Sequence, residues 1–163
     1  MKKTTVIQKI KSALDKLYKE EPSLVEDKLC ERCIDHRFAK YLEEEDFGNG
    51  YFVDCEYNKT HLESGVGPKK VSSINGNYID IIITKRVGRG ENDLVCFETK
   101  RWKNYYNRKK DRENLQILSG QKPASDGSYF DYDFGFYIIF GKTRGETKVE
   151  VYQRNFEIEK LNL

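Results

Sequence analysis

Val6, Ile10, Leu14 and Leu17 recur at helical spacing between lysines, so the pattern predicts an amphipathic helix over residues 4–20. Pro22 ends it, since a proline ring cannot continue helical backbone. Ser23 followed by Glu26 is a capping-box pattern, from which a second helix is expected over residues 24–45. The period then changes. Tyr51, Val53, Cys55 and Tyr57 alternate with polar positions, as in a half-buried strand. Residues 59–77 carry three glycines, a proline and three serines, which reads as a long surface loop. Residues 78–86 and 93–100 are nearly continuous apolar runs that end in charge, the pattern of central strands covered on both faces. Residues 88–92 supply the turn between them. A polar helix is expected over residues 104–119, with Leu115 and Leu118 facing inward, and further strands over 133–141 and 147–154.

The order helix, helix, three strands, helix, two strands gives an α/β fold. Its central mixed sheet of about five strands is flanked by helices and preceded by an N-terminal helical segment. One domain is expected over 1–163, with the helices of 1–46 packed on a core built from 51–155.

Composition narrows the class. Eleven Tyr and nine Phe supply the buried area that ordering requires, although 34% of residues are charged and mean hydropathy is −0.79. Against 27 acidic side chains stand 29 basic ones, and a net charge of +2 excludes a coat for polyanions. The N-terminus lacks the apolar run of a signal peptide, and no segment has the length and apolarity of a membrane span. The four cysteines read as reduced thiols, and a cytoplasmic location without membrane association is the expectation. On that view the Asn58-Lys59-Thr60 glycosylation pattern is a chance match.

Chemistry is indicated by charges placed where burial makes charge costly. Asp80 interrupts Tyr78-Ile79-Asp80-Ile81-Ile82-Ile83, and Glu98 and Lys100 follow the apolar Leu94-Val95-Cys96-Phe97. Adjacent strands can bring Asp80 and Glu98 together, where their charges repel unless a divalent cation or the Lys100 ammonium offsets them. Oxygen donors suit Mg²⁺. At about 100° per residue, Glu31 falls about 60° from Ile34, inside the stripe formed with Phe38, Tyr41 and Leu42. It can therefore reach the same sheet edge. The competing reading of these four charges is a buried structural ion network.

Glu31 on an early helix, Ile79-Asp80 on a strand and Glu98-Thr99-Lys100 on the next resemble the PD-(D/E)XK nuclease superfamily. The element order is similar to its restriction-endonuclease-like core. The segments VDCEYN (53–58), YIDIIIT (78–84) and LVCFETK (94–100) resemble small stand-alone prokaryotic and phage members. The resemblance spans roughly residues 25–155 in layout and departs at Ile79, which stands where the family has proline. It implies that Asp80, Glu98 and the Thr99 carbonyl hold Mg²⁺, with Mn²⁺ as a substitute. Lys100 would position the attacking water and stabilise developing charge, while Glu31 would bind a second metal or orient its water. Glu56 is a further metal-ligand candidate, equally readable as a solvated strand residue.

Residues 101–112, with six basic side chains against one acid, read either as a nucleic-acid surface beside the carboxylates or as a solvated helix start. Arg101, Lys103, Arg108, Lys109 and Lys110 would meet phosphates, and Trp102, Tyr105 and Tyr106 would stack on bases. Lys69, Lys70, Lys85, Arg86 and Arg89 extend it. The resulting expectation is a metal-dependent nuclease acting on nucleic acid, DNA ahead of RNA, with a homodimer suited to double-strand cleavage. The alternative is a catalytically inactive nucleic-acid-binding or protein-interaction module on the same fold.

Three other patterns carry less. Gly135 and Gly141-Lys142-Thr143 have one intervening residue too many for a phosphate loop, and their spacer is a strand. Cys30-x-x-Cys33 with His36 falls within the expected second helix and has no second ligand pair for zinc. His61 is isolated in the expected loop.

Overall fold

The computed structural model describes residues 1–26, 30–48, 50–57, 59–62, 65–68, 79–85, 93–125, 127 and 129–162. Helix α1 spans Lys3–Glu20 and buries Val6, Ile10, Ala13, Leu14 and Leu17 on one face. The expected second helix is two. α2, Pro22–Glu26, starts on the proline rather than after a Ser23 cap, because the fixed φ of proline and its missing N–H suit a first helical position. α3, Glu31–Glu43, buries Ile34, Phe38, Ala39, Tyr41 and Leu42, with Asp35 beside them. Cys30 thus precedes the helix instead of lying within it, and both Cys30 and Cys33 are exposed.

Strand β1, Phe52–Tyr57, leads into a hairpin of β2, Lys59–Leu62, and β3, Gly65–Pro68, where a loop was expected. β4, Ile79–Thr84, and β5, Asp93–Arg101, follow, then α4, Arg108–Leu118. α4 begins later than its polar pattern suggested because Asn107 takes a left-handed conformation, φ 58°, which helical backbone cannot include. β6, Phe134–Phe140, β7, Lys148–Tyr152, and β8, Glu159–Leu161, complete the chain's strands among the described residues.

The main sheet has six strands in the order β1-β4-β5-β6-β7-β8, one more than expected because β8 adds to the β7 edge. β1, β4 and β5 form an antiparallel meander, and α4 carries the chain over so that β6 pairs parallel to β5. Alternation along β5 sends Val95 and Phe97 into a core shared with α1 and α3, and Cys96 into a second core with Leu115 and Leu118 of α4. Phe38 of α3 meets Phe97 and Phe140 edge-on, at 5.8 and 5.7 Å between centroids, fixing α3 over the middle of the sheet. Among the described residues no helix is long and apolar enough to cross a membrane.

Gly141 shows why the apparent phosphate loop is structural. After β6 the chain doubles back through a 3-10 turn, Arg144–Glu146, closed by a reciprocal Thr143–Glu146 cap. A Cβ on Gly141 would lie 2.5 Å from the Glu146 carbonyl carbon and 2.8 Å from the Thr143 oxygen. Tyr18 of α1 donates to the Gly141 carbonyl at 2.9 Å, so the turn also anchors the first helix. Gly141→Ala is expected to destabilise the protein by about 1–3 kcal/mol through that overlap. A denaturant midpoint equal to wild type would show that the turn yields without cost.

Candidate active site

Four elements converge on the C-terminal end of β5. The β4–β5 ladder runs to the pair Ile81–Phe97. Beyond it the Thr99 N–H donates to the Asp80 carboxylate, Oδ2, at 2.8 Å. Asp80 thus replaces a strand partner at the place where its side chain emerges. Thr99 Oγ1 donates in the other direction, to Asp35 Oδ1 of α3 at 2.5 Å. On the opposite face of β5 the side chain of Glu98, only 4% exposed, accepts a 3.5 Å bond from Asn114 of α4.

Lys100 is enclosed between carboxylates. Its Nζ lies 3.4 Å from Glu31 Oε1 and 3.3 Å from Asp111 Oδ2. Glu31 in turn accepts from the Arg101 backbone N–H at 3.1 Å and from Asn104 Nδ2 at 2.9 Å. One carboxylate at the start of α3 therefore binds the lysine, the end of β5 and the loop after it. Glu31, Asp35, Asp80 and Glu56 line a cleft of about 720 Å³ together with Arg32, His36 and Cys55.

Burial dominates the buried acids, whereas charge dominates the lysine between them. Burial, reinforced by the charge of Asp80, pushes the Asp35 carboxyl up from 3.8 to about 8, against the opposing Thr99 bond. Burial also raises Asp80, with the Thr99 N–H and Lys100 pulling back, and raises Glu98 strongly, helped by the charges of Asp80 and Asp111. Asp111 is raised by burial too, with Lys100 opposing. Lys100 shows the reverse balance: burial works to lower it, but Glu31, Asp111, Asp80 and Glu98 outweigh burial and hold the ammonium charged. Burial lifts the Cys55 thiol to about 11, so at neutral pH the sulfur in this cleft is a thiol and not a nucleophilic thiolate.

Glu31, Asp80, Glu98, Thr99 and Lys100 are therefore neighbours. Glu56 lines the same cleft, but its Oε1 is held by Arg32 Nε at 2.7 Å, at the rim. Its backbone is left-handed, φ 50°, an uncommon conformation for a side-chain-bearing residue inside a strand. Asp35 and Asp111 were missed. Asp35 lies one turn after Glu31 on α3, and that i,i+4 spacing was the available signal. Asp111 sits within a basic run, where nothing in the pattern distinguishes it.

The basic segment is built differently from its pattern. Arg108 spends its guanidinium on backbone carbonyls, donating to Asn104 at 2.7 Å and to Trp102 at 3.0 Å. It is a brace for the loop and not a free phosphate ligand. Trp102 packs partly against the α4-side core. Tyr105, Tyr106, Lys103, Lys109 and Lys110 are exposed, and Arg101 is half-buried. Lys69, Lys70, Arg86 and Arg89 lie outside the described residues, as do Asn58 and the side chain of His61. The Lys85 Nζ sits 5.0 Å from the centroid of the Tyr51 ring.

Among the described residues no three His, Cys, Asp or Glu side chains close to the spacing of a metal centre. Around this end of β5 the carboxyls of Asp35, Asp80 and Glu98 are nevertheless all raised by burial, and such oxygen donors suit a hard divalent cation. The fold and cluster define an α/β protein whose mixed sheet carries a lysine-bearing acidic site at one strand end. Comparison of the chain with protein-family models, with curated proteins and with solved structures gives no match.

Proposed function

We propose that this protein is a metal-dependent nuclease on a restriction-endonuclease-like core. The observation that carries the reading is Lys100, kept charged beside Glu31 and two residues from Glu98, with Asp80 bonded to the intervening Thr99. The order of α3, three meandering strands, the crossover helix and further strands agrees with the resemblance, with the β2–β3 hairpin inserted between β1 and β4.

Asp80, Glu98 and the Thr99 carbonyl would hold Mg²⁺, with Glu31 and Asp35 on the α3 side of the same strand end. Bound there, Mg²⁺ supplies Lewis acidity and lowers the pKa of a coordinated water. Lys100 holds its proton and its charge where negative charge builds on a phosphoryl oxygen. Glu31 keeps that ammonium in place. Substrate is nucleic acid, brought in along the exposed lysines of the segment after β5.

Purified protein should cleave DNA or RNA with Mg²⁺ or Mn²⁺, and EDTA should abolish the cleavage. A broad substrate screen without cleavage, joined to an unfolding midpoint that Mg²⁺ leaves unmoved, would remove the enzyme reading.

A further inference from the structure

The loop between β5 and α4 holds two aromatic rings in solvent: Tyr105 is 72% exposed and Tyr106 is 83% exposed. Rings of this size normally bury, and Trp102 in the same segment does pack against the core. The segment that carries them is held in place. The Arg108 guanidinium is fixed by the carbonyls of Asn104, Trp102 and Arg101, and its Cζ lies 4.4 Å from the Tyr105 centroid. A clamped cation therefore backs the ring. The Tyr106 N–H donates to Asn104 Oδ1 at 3.1 Å, while Asn104 Nδ2 donates to the Glu31 carboxylate that pairs Lys100. Two hydrogen bonds thus link the backbone at Tyr106 to the acidic site.

We infer that Tyr105 and Tyr106 form a stacking platform for unpaired bases, and that the polymer entering the cleft is single-stranded. This rests on the nuclease reading and specifies its substrate. In a duplex each base face is covered by its neighbours, so an exposed ring finds a partner only at an end. In a single strand every base offers a face, whatever its sequence. The lysines beside the rings complement the backbone, with the Lys109 side chain 92% exposed. The Tyr105 ring is backed by Arg108 and the backbone at Tyr106 is hydrogen-bonded before binding, which limits the ordering that binding must supply.

The test is fluorescence anisotropy in EDTA, comparing a labelled oligothymidylate with a blunt duplex of equal length. The single strand should bind on the order of tenfold tighter. Tyr105→Ala and Tyr106→Ala should each weaken it by about five- to a hundredfold, leave duplex binding unchanged, and be rescued by Tyr→Phe. Equal or tighter duplex binding, or alanine variants that bind the single strand as wild type does, overturns the platform. If metal-dependent cleavage persists in that case, the nuclease reading stands without it. Failure to bind either polymer, together with no cleavage, overturns both.

Discussion

Lys100→Ala is expected to slow phosphodiester cleavage by about a hundred- to a thousandfold, the loss typical of removing one positioned group that stabilises transition-state charge. Its effect on stability should be separable. Lys100 is the cation between Glu31 and Asp111, and removing one partner of a buried pair costs about 3–5 kcal/mol where burial is complete. The Glu31 side chain is 25% exposed and keeps two N–H donors, whereas Asp111, 9% exposed, loses the ammonium beside its Oδ2, so the loss should fall at the lower end of that range. Lys100→Arg restores a charge and should recover stability, yet a planar guanidinium does not reproduce the compact ammonium and should not recover the rate. Asp80→Ala should abolish cleavage for a different reason. It leaves the Thr99 N–H without its acceptor, at a cost of about 1–3 kcal/mol, but relieves the repulsion felt by Asp35 and Glu98. Its midpoint should therefore move little. Kinetics and melting curves on the three variants check this, and a fully active Lys100→Ala protein would exclude the proposed chemistry.

In EDTA, the unfolding midpoint should be highest in mildly acidic solution and fall as pH rises through the neutral range. The unfolded chain releases the Asp35 proton near 3.8, whereas the folded protein retains it to about 8. Between those values the native state binds more protons, so stability decreases with pH by about 1.4 kcal/mol per unit for a fully differential proton. Asp80, Glu98 and Asp111 are raised as well and act in the same sense. Two groups act otherwise. Glu150 is lowered: burial opposes the shift, but the Arg112 and Tyr152 bonds outweigh it, so it contributes stability above its ordinary 4.5. Lys100 is raised, so its contribution is complete below its ordinary 10.5 and constant through this window. Asp35→Asn should flatten the profile. Under the metal-site proposal, Mg²⁺ should raise the midpoint most toward the alkaline end, where the carboxylates have released their protons. A wild-type profile indistinguishable from that of Asp35→Asn would remove Asp35 from the set of strained acids.

Much of this was legible in one dimension. The four apolar residues of α1, and the runs of β4 and β5, carry local period and local burial, and each formed where its pattern placed it. Glu98 and Lys100 share a strand, and β4 pairs beside it, so strand periodicity and a short turn were enough to bring Asp80 near them. The joined reading of α2 and α3 failed because an apolar stripe does not mark where a helix pauses. The three residues of β8 are too short to state a period.

The sequence by itself determined the α/β class, the order of the main helices and strands, and the presence of costly charges on core strands. Only the tertiary structure decided how those charges are shared. Asp35 meets Thr99 from 64 positions away, Glu31 meets Lys100 from 69, and Arg108 turns from a phosphate ligand into a brace by folding back on its own loop. Periodicity reports which face a residue takes within its own element. Which acid a buried proton or ammonium settles on depends on distances between elements, and those exist only once the chain has packed.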